Sequence, residues 1–215
     1  MDHQVDQNSP DWHSLRLGIP TASQFGNIIT PTGSRTTGDK RKNYMCKLIC
    51  ERIFGTSMGD DISELKWVKH GRQFEAQAAH VLSGMEGLDL GAGGFITHLG
   101  CGCSPDRIVR AGGNRTGRGA VEIKCPSPWV HMSNILYGPG DQYYPQVMGQ
   151  MLIGQFDYVH FFSYHPAMPP VQRIYEKNDK YLAALQRELK TFVDELEEET
   201  QRALDKGTYD PSRLT

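Results

Sequence analysis

The apolar positions change rhythm along the chain, and each change predicts a change of secondary structure. The N-terminal third follows helical spacing. In "TASQFGNIIT", Phe25, Ile28 and Ile29 form an apolar face, and Thr21 with Gln24 has the spacing of a capping box, so a helix is predicted to start there. "TPTGSRTTGDKRK" breaks the pattern as a Gly/Thr/Ser-rich loop ending in a basic cluster. A second helix is predicted from about Arg41 to Phe54, stopped by Gly55, and a third begins at Ser63 or just after. Val68, Phe74, Ala78 and Leu82 are its expected inward positions.

The middle of the chain reads differently. "GGFITHLGCGCSPDRIVR" predicts two extended pieces with tight turns, and "RAGGNRTGRG" a hairpin-type connection to the alternating "GAVEIKCP". Helical spacing returns in "YYPQVMGQMLIGQ" through Val147, Met151 and Gly154. "YVHFFSYH" and "VQRIYE" read as strands. A last helix is predicted over Asp179–Lys206, with Leu182, Leu185, Leu189, Phe192 and Leu196 as its buried stripe and "DELEEE" as a solvated face. Helices first, strands in the middle and helices after them predict an α/β or α+β layered fold. No linker or internal repeat divides it, so residues 1–215 are read as one domain.

Composition narrows the function classes. The chain has 215 residues, is 38% hydrophobic and carries a formal net charge of −2. A nucleic-acid binder of this charge must gather its cations in one place. No apolar run reaches the roughly 18 residues of a membrane span, and the start "MDHQVDQNSPDW" is polar and acidic, which speaks against a signal peptide. The expected compartment is the cytoplasm, without membrane association. Cys46, Cys50, Cys101, Cys103 and Cys125 are an odd set without zinc-site spacing, and are expected to be buried thiols. No phosphate-binding loop of a nucleotide-driven motor is present.

The chemistry concentrates in "CSPDRIVRAGGNRTGRGAVEIKCP". Alternate residues of a strand share a face, so Val121, Ile123 and Cys125 point one way and Glu122 and Lys124 the other. The charged pair is expected to open onto a cleft. A hairpin brings Asp106 beside Glu122. Two close carboxylates call for a cation, and oxygen ligands suit Mg²⁺. A lysine beside them can activate water and stabilise a phosphoryl transition state. Taken alone, Glu-x-Lys on a strand reads first as a cross-strand salt bridge.

The wider set of motifs bears on that choice. "DWHSLRLGIPTASQFGNII", "HGRQFE", "CSPDRIV", "VEIKCP" and "YPQVMGQMLIG" follow one another in an order and spacing that resembles the phage λ-exonuclease type (YqaJ-like viral recombinase) family of the PD-(D/E)xK nuclease superfamily. The resemblance implies a restriction-endonuclease-like core, a central mixed β-sheet flanked by helices. By position it implies Asp106, Glu122 and the carbonyl of Ile123 as metal ligands, with Glu75 helping to hold a second metal. Lys124 matches the catalytic lysine, and Gln146 a glutamine that positions the water or the scissile phosphate. Related nucleases often carry a tyrosine where this chain has Gln150, which leaves an aromatic contact to the DNA backbone there without its residue.

The segment "WHSLRLGIPTAS" resembles a 5′-phosphate pocket. Arg16 supplies a forked cation and Ser23 lies in the first turn of the predicted helix. The basic loop of Arg35, Lys40, Arg41, Lys42 and Lys47 has no acid nearby in sequence except Asp39, and is read as either solvated charge or a phosphate-backbone contact. Lys66 is a second candidate contact, and Leu65, Trp67 or Val68 a candidate wedge at the duplex end.

The activity implied is a Mg²⁺-dependent 5′→3′ exonuclease on double-stranded DNA, with Mn²⁺ as a substitute ion. It would release 5′-mononucleotides and leave a 3′ overhang for recombination. Expected partners are 5′-phosphorylated duplex ends, two further copies in a homotrimeric ring, and a single-strand-annealing recombinase, in a phage or prophage setting. The alternatives are a PD-(D/E)xK endonuclease, restriction-like or junction-resolving, and a DNA-binding module without catalysis. An iron–sulfur nuclease would need cysteines after Cys125, where none occurs.

Overall fold

The computed structural model describes residues 1–59 and 66–213, with residues 66–72 described by backbone only. In chain order the elements are β1 (Asp2–His3), α1 (Pro10–Arg16), a 3₁₀ turn (Ala22–Asn27), α2 (Asp39–Phe54), α3 (Lys66–Glu86), β2 (Leu88–Ala92), β3 (Phe95–His98), β4 (Cys101–Cys103), β5 (Arg107–Gly112) and β6 (Gly119–Lys124). There follow α4 (Pro128–Tyr137), α5 (Tyr144–Gly154), β7 (Tyr158–Ser163), β8 (Val171–Glu176) and α6 (Asp179–Leu204). The main sheet has five strands in the order β2-β5-β6-β7-β8. β6 and β7 run parallel, while the other neighbouring pairs are antiparallel. A smaller sheet, β1-β3-β4, packs beside it. This is a mixed sheet flanked by helices, the architecture that the sequence resemblance implies.

Local chemistry sets most boundaries. Ser9 caps α1 by accepting the Trp12 N–H, with Pro10 at the first helical position. Gly55 ends α2 in the left-handed conformation, as the sequence predicts. The Asn178 side chain caps α6 through the Tyr181 N–H. The capping box at Thr21 does not form. Its side chain makes no cap hydrogen bond, and the segment winds as a six-residue 3₁₀ turn rather than an α-helix. Instead the Thr21 N–H is held by the Tyr44 hydroxyl. The expected two extended pieces are three strands, and α4 was not foreseen. Val68 lies outside the described side chains, while Ala78 and Leu82 are buried as predicted.

The sheet is covered on both faces. On one side Ala120, Val159 and Phe161 pack with Val147, Met148 and Met151 of α5 and Leu185, Leu189 and Phe192 of α6. On the other, Val121, Ile123 and Phe162 pack with Ala78 and Leu82 of α3. β6 is therefore closed in on both faces, and the expectation that Glu122 lines an open cleft is corrected: it is 2% exposed. A strand in a parallel pair at the centre of a sheet is normally covered on both sides. Here α5 lies over the charged face.

Two glycines make this packing possible. A Cβ on Gly149 of α5 would fall 2.4 Å from the Phe25 ring, so its absence lets α5 rest on the 3₁₀ turn. A Cβ on Gly93 would fall 1.6 Å from the Pro105 carbonyl oxygen, so this glycine makes room for the peptide that precedes Asp106.

Candidate active site

The β5–β6 register pairs Arg107 with Val121, which sets Asp106 opposite Glu122 as the hairpin reading requires. The Asp106 N–H donates to the Val121 carbonyl at 3.0 Å, and its Oδ2 accepts the Ile123 N–H at 2.6 Å. The N–H and C=O of one strand residue point to the same side. The Ile123 carbonyl therefore opens toward Asp106, beyond the last rung of the β5–β6 ladder.

Glu122 is held from three directions. Its Oε1 accepts Lys124 Nζ at 2.5 Å and Gln146 Nε2 at 2.6 Å, and its Oε2 accepts Gln150 Nε2 at 2.5 Å. Gln146 and Gln150 stand four residues apart on α5, so they share the helix face that covers β6. That spacing was the available signal for Gln150, which points into the site and not toward a DNA backbone. Lys124 also lies 5.8 Å from the centre of the Tyr143 ring.

Burial, and then the charge of Glu122, raises the Asp106 carboxyl well above the ordinary range. Burial works against the charge of Lys124, but Glu122 and Asp106 outweigh it and hold the ammonium above its usual value. The buried Glu122, the half-buried Asp106 and a carbonyl oxygen form a hard-oxygen donor set, and the repulsion of the two carboxylates is relieved by a divalent cation. These residues fit Mg²⁺. Among the described residues no three His, Cys, Asp or Glu side chains converge on one point. The third acid, Glu75, reaches the neighbourhood but accepts a hydrogen bond from Arg107 Nη1 at 2.9 Å. Arg107 was not singled out in the sequence, because its partner lies in a helix that precedes it by 32 residues.

Next to this site, α1 presents Arg16. Its guanidinium stacks 4.0 Å from the Trp12 ring centre, and Trp12 Nε1 donates to Ser104 Oγ at 2.9 Å, two residues before Asp106. Arg16 lines a cavity of about 130 Å³ with His13, Thr21, Gln24, Tyr44, Lys47, Glu51 and Ser57. Among the described residues its guanidinium makes no hydrogen bond or ion pair, and burial lowers its pKa although the charge of Glu51 across the cavity works the other way. An unpaired, desolvated cation in a small polar cavity is arranged for an anion. Ser23 is exposed and is not among the lining residues, and Thr21 and Gln24 take the place expected for it.

Glu51 and Arg52 of α2 fix the loop after Arg16. Glu51 Oε2 accepts the Gly18 N–H at 3.1 Å, and Arg52 Nε donates to the Gly18 carbonyl at 2.8 Å.

The other expected contacts are engaged elsewhere. Arg35 donates to Glu188 at 2.9 Å and Glu195 at 3.2 Å, and Arg41 to Glu195. The basic loop therefore does have acid partners, and "DELEEE" is not simply solvated. Those partners come from α6, about 150 residues further along the chain, where the loop's own sequence gives no sign of them. Lys66 lies outside the described side chains, as do Leu65, Trp67 and Val68. Burial pushes the Cys101 and Cys125 thiols up to about 12, but the expectation of five buried thiols holds only for Cys101 and Cys103: Cys50 and Cys125 are half-buried, and Cys46 is exposed on α2.

A family model described as the YqaJ-like viral recombinase domain matches residues 11–157. No curated protein sequence matches significantly. Among solved structures, the alkaline exonuclease LHK-Exo from Laribacter hongkongensis superposes with a TM-score of 0.79 at 30% identity, covering 92% of this chain and 97% of its own. LHK-Exo in complex with dAMP gives 0.80 at the same identity and coverage. A phage-related exonuclease from Haemophilus somnus shares the fold, with a TM-score of 0.60 at 15% identity. The matched span takes in more than half of the chain, including the stretch that carries the Asp106–Glu122–Lys124 group, so the chain belongs to the YqaJ-like viral recombinase family and is an exonuclease of that kind.

Proposed function

We propose that the chain is a Mg²⁺-dependent 5′→3′ exonuclease on double-stranded DNA that releases 5′-mononucleotides and leaves a 3′ single-stranded overhang. The observation that carries this is the pairing of the Asp106–Glu122–Lys124 group with the unpaired Arg16 cation, tied together through Trp12 and Ser104. Asp106, Glu122 and the Ile123 carbonyl would hold the cation, for which Mn²⁺ substitutes. Bound there, the ion supplies Lewis acidity toward a phosphoryl oxygen and lowers the pKa of water.

The chain's own groups do the rest. Lys124 Nζ donates toward the attacking water and the charge that develops on phosphorus. Gln146 and Gln150 fix the Glu122 carboxylate in one orientation. Arg16 grasps the 5′-terminal phosphate and so sets which strand enters and from which end. The dAMP bound by LHK-Exo is a 5′-mononucleotide, the product class proposed here. The family resemblance supports the remaining parts of the reading. These are a homotrimeric ring around the duplex, a single-strand-annealing recombinase as partner, and a phage- or prophage-type protein at work in the cytoplasm. No helix among the described residues is long and apolar enough to cross a membrane.

The test is digestion of end-labelled linear duplex with Mg²⁺, beside a closed circular plasmid. Loss of the 5′-ended strand with the circle intact is expected, and Lys124→Ala should reduce the rate at least about 10³-fold. Nicking of the circle, or digestion from 3′ ends, would sink this reading.

A further inference from the structure

Helix α4 is built inside out. Its polar residues His131 and Asn134 are buried, and both hydrogen-bond the Ser163 hydroxyl of β7, at 2.8 Å and 2.9 Å. Ser163 is the register partner of Lys124, so α4 is fixed to the strand beside that lysine. Its aromatic residues face outward instead, with Trp129 75% and Tyr137 83% exposed. Both line an open cleft of about 540 Å³, together with Ser133, Gln142 and Arg173.

Trp129, Ser133 and Tyr137 stand at i, i+4 and i+8, a single row along the helix. About 12 Å of helix rise separates the two aromatic positions. That is too far to clamp one base between the rings, but it leaves room for one base on each. A stripe made to pack on another protein would fill its middle position with a large apolar side chain, and here that position is a serine. Met132 and Leu136, on the neighbouring row, lie outside the cleft. α4 carries no acid that would repel a phosphate backbone, and Asp141 is the one acid in the lining. The Arg173 guanidinium stacks 4.8 Å from the Tyr175 ring centre and makes no ion pair among the described residues. The cleft adjoins the active site at both ends. Trp129 follows closely on Lys124, and Gln142 precedes Tyr143, whose ring lies 5.8 Å from Lys124 Nζ.

We infer that this cleft is a platform for single-stranded DNA, with one base on Trp129, a further base on Tyr137 and the backbone beside Arg173. Aromatic faces stack any base, so the platform is indifferent to sequence. It rests on the reading above only for the identity of the strand: with 5′→3′ digestion, the strand held is the uncut, 3′-ended one.

The test is an anisotropy titration of a dye-labelled 5′-hydroxyl oligothymidylate of about 12 nucleotides. It is run without divalent ion, so nothing is cut and no 5′-phosphate is offered to Arg16. Trp129→Ala and Tyr137→Ala are each expected to weaken binding about tenfold, and Trp129→Phe to stay within about threefold of the parent. Arg173→Gln should flatten the slope of log affinity against log salt by about 0.7, the share of one phosphate contact. Unchanged affinity in both alanine variants, or an unchanged slope in Arg173→Gln, overturns the inference. Sedimentation of the alanine variants is expected to match the parent. A shift to smaller species would show that α4 joins copies of the chain, and overturns it too. Digestion from 3′ ends would sink the reading above without moving these affinities, because they are read with no cut.

Discussion

Replacing Arg16 by Met should separate end recognition from stability. The methionine keeps an apolar stem against Trp12 and removes the cation. Two unit charges about 4 Å apart are worth about 4 kcal/mol at an effective dielectric near 20. A terminal phosphate carries between about one and a half and two negative charges, while water in an open cavity and salt take back a large part. A net loss of about 3 kcal/mol is a reasonable figure, or roughly 10² in relative kcat/KM for 5′-phosphate over 5′-hydroxyl ends. Stability should move little. The substitution removes a desolvated guanidinium that makes no ion pair, which favours folding, and forfeits the more distant attraction of Glu51 and a ring stack worth about 0.5–2 kcal/mol. A net change within about 1 kcal/mol keeps Tm within about 4 °C of the parent. The assay compares single-turnover digestion of the two end types, with a thermal melt alongside. An unchanged preference for phosphorylated ends would refute the pocket. A melt lowered by about 10 °C would show instead that Arg16 is a structural ion.

Two further substitutions test the scaffold. Gly149→Ala places a methyl 2.4 Å from the Phe25 ring, so an overpacking cost of about 1–3 kcal/mol should exceed the roughly 1 kcal/mol gained in helix propensity, and Tm should fall; Gly84→Ala on α3 meets nothing within 4 Å, and Tm should rise. Burial holds the His160 imidazole below the ordinary histidine range. The unfolded chain therefore binds the extra proton first, and stability should fall as pH drops through about 6.5 and level off once the native imidazole also titrates. His160→Gln should flatten that part of the denaturant-midpoint profile, and identical pH slopes for parent and variant would refute it.

What the sequence could reveal follows from how local each feature is. The α2 and α6 helices are written in spacing that a single strip of sequence contains, down to the Gly55 stop. Asp106 could be set opposite Glu122 because a short hairpin joins them and fixes the register. Features that depend on a third element were hidden. Glu122 is enclosed because α5 crosses β6, and strand alternation alone cannot say which face a helix will cover. The Thr21 capping box has the right letters, but the hydroxyl of Tyr44 holds the backbone there instead. The pairing of Glu75 with Arg107, and of Arg35 with α6, joins residues that only the folded sheet brings together.

These distant pairings change where the positive charge resides. In the sequence, Arg35, Arg41 and Lys47 belong to one basic loop that could track a DNA backbone. In the fold, the first two are neutralised by Glu188 and Glu195, whereas Lys47 turns to the cavity that holds Arg16. Arg115 and Arg118 are likewise engaged, with Glu176 and with Asp2. Exposed pairs of this kind contribute little to stability, but they lower the potential along that surface. The desolvated Arg16 is left as the strongly anion-seeking group of the cavity. On the proposed reading, a protein of net charge −2 that places the desolvated Arg16 in a small cavity recognises the end of a strand more than its length. Selection of a terminus, with the hydrolytic group tethered two residues from the same Ser104, then needs no base-specific contact to give the cut a direction.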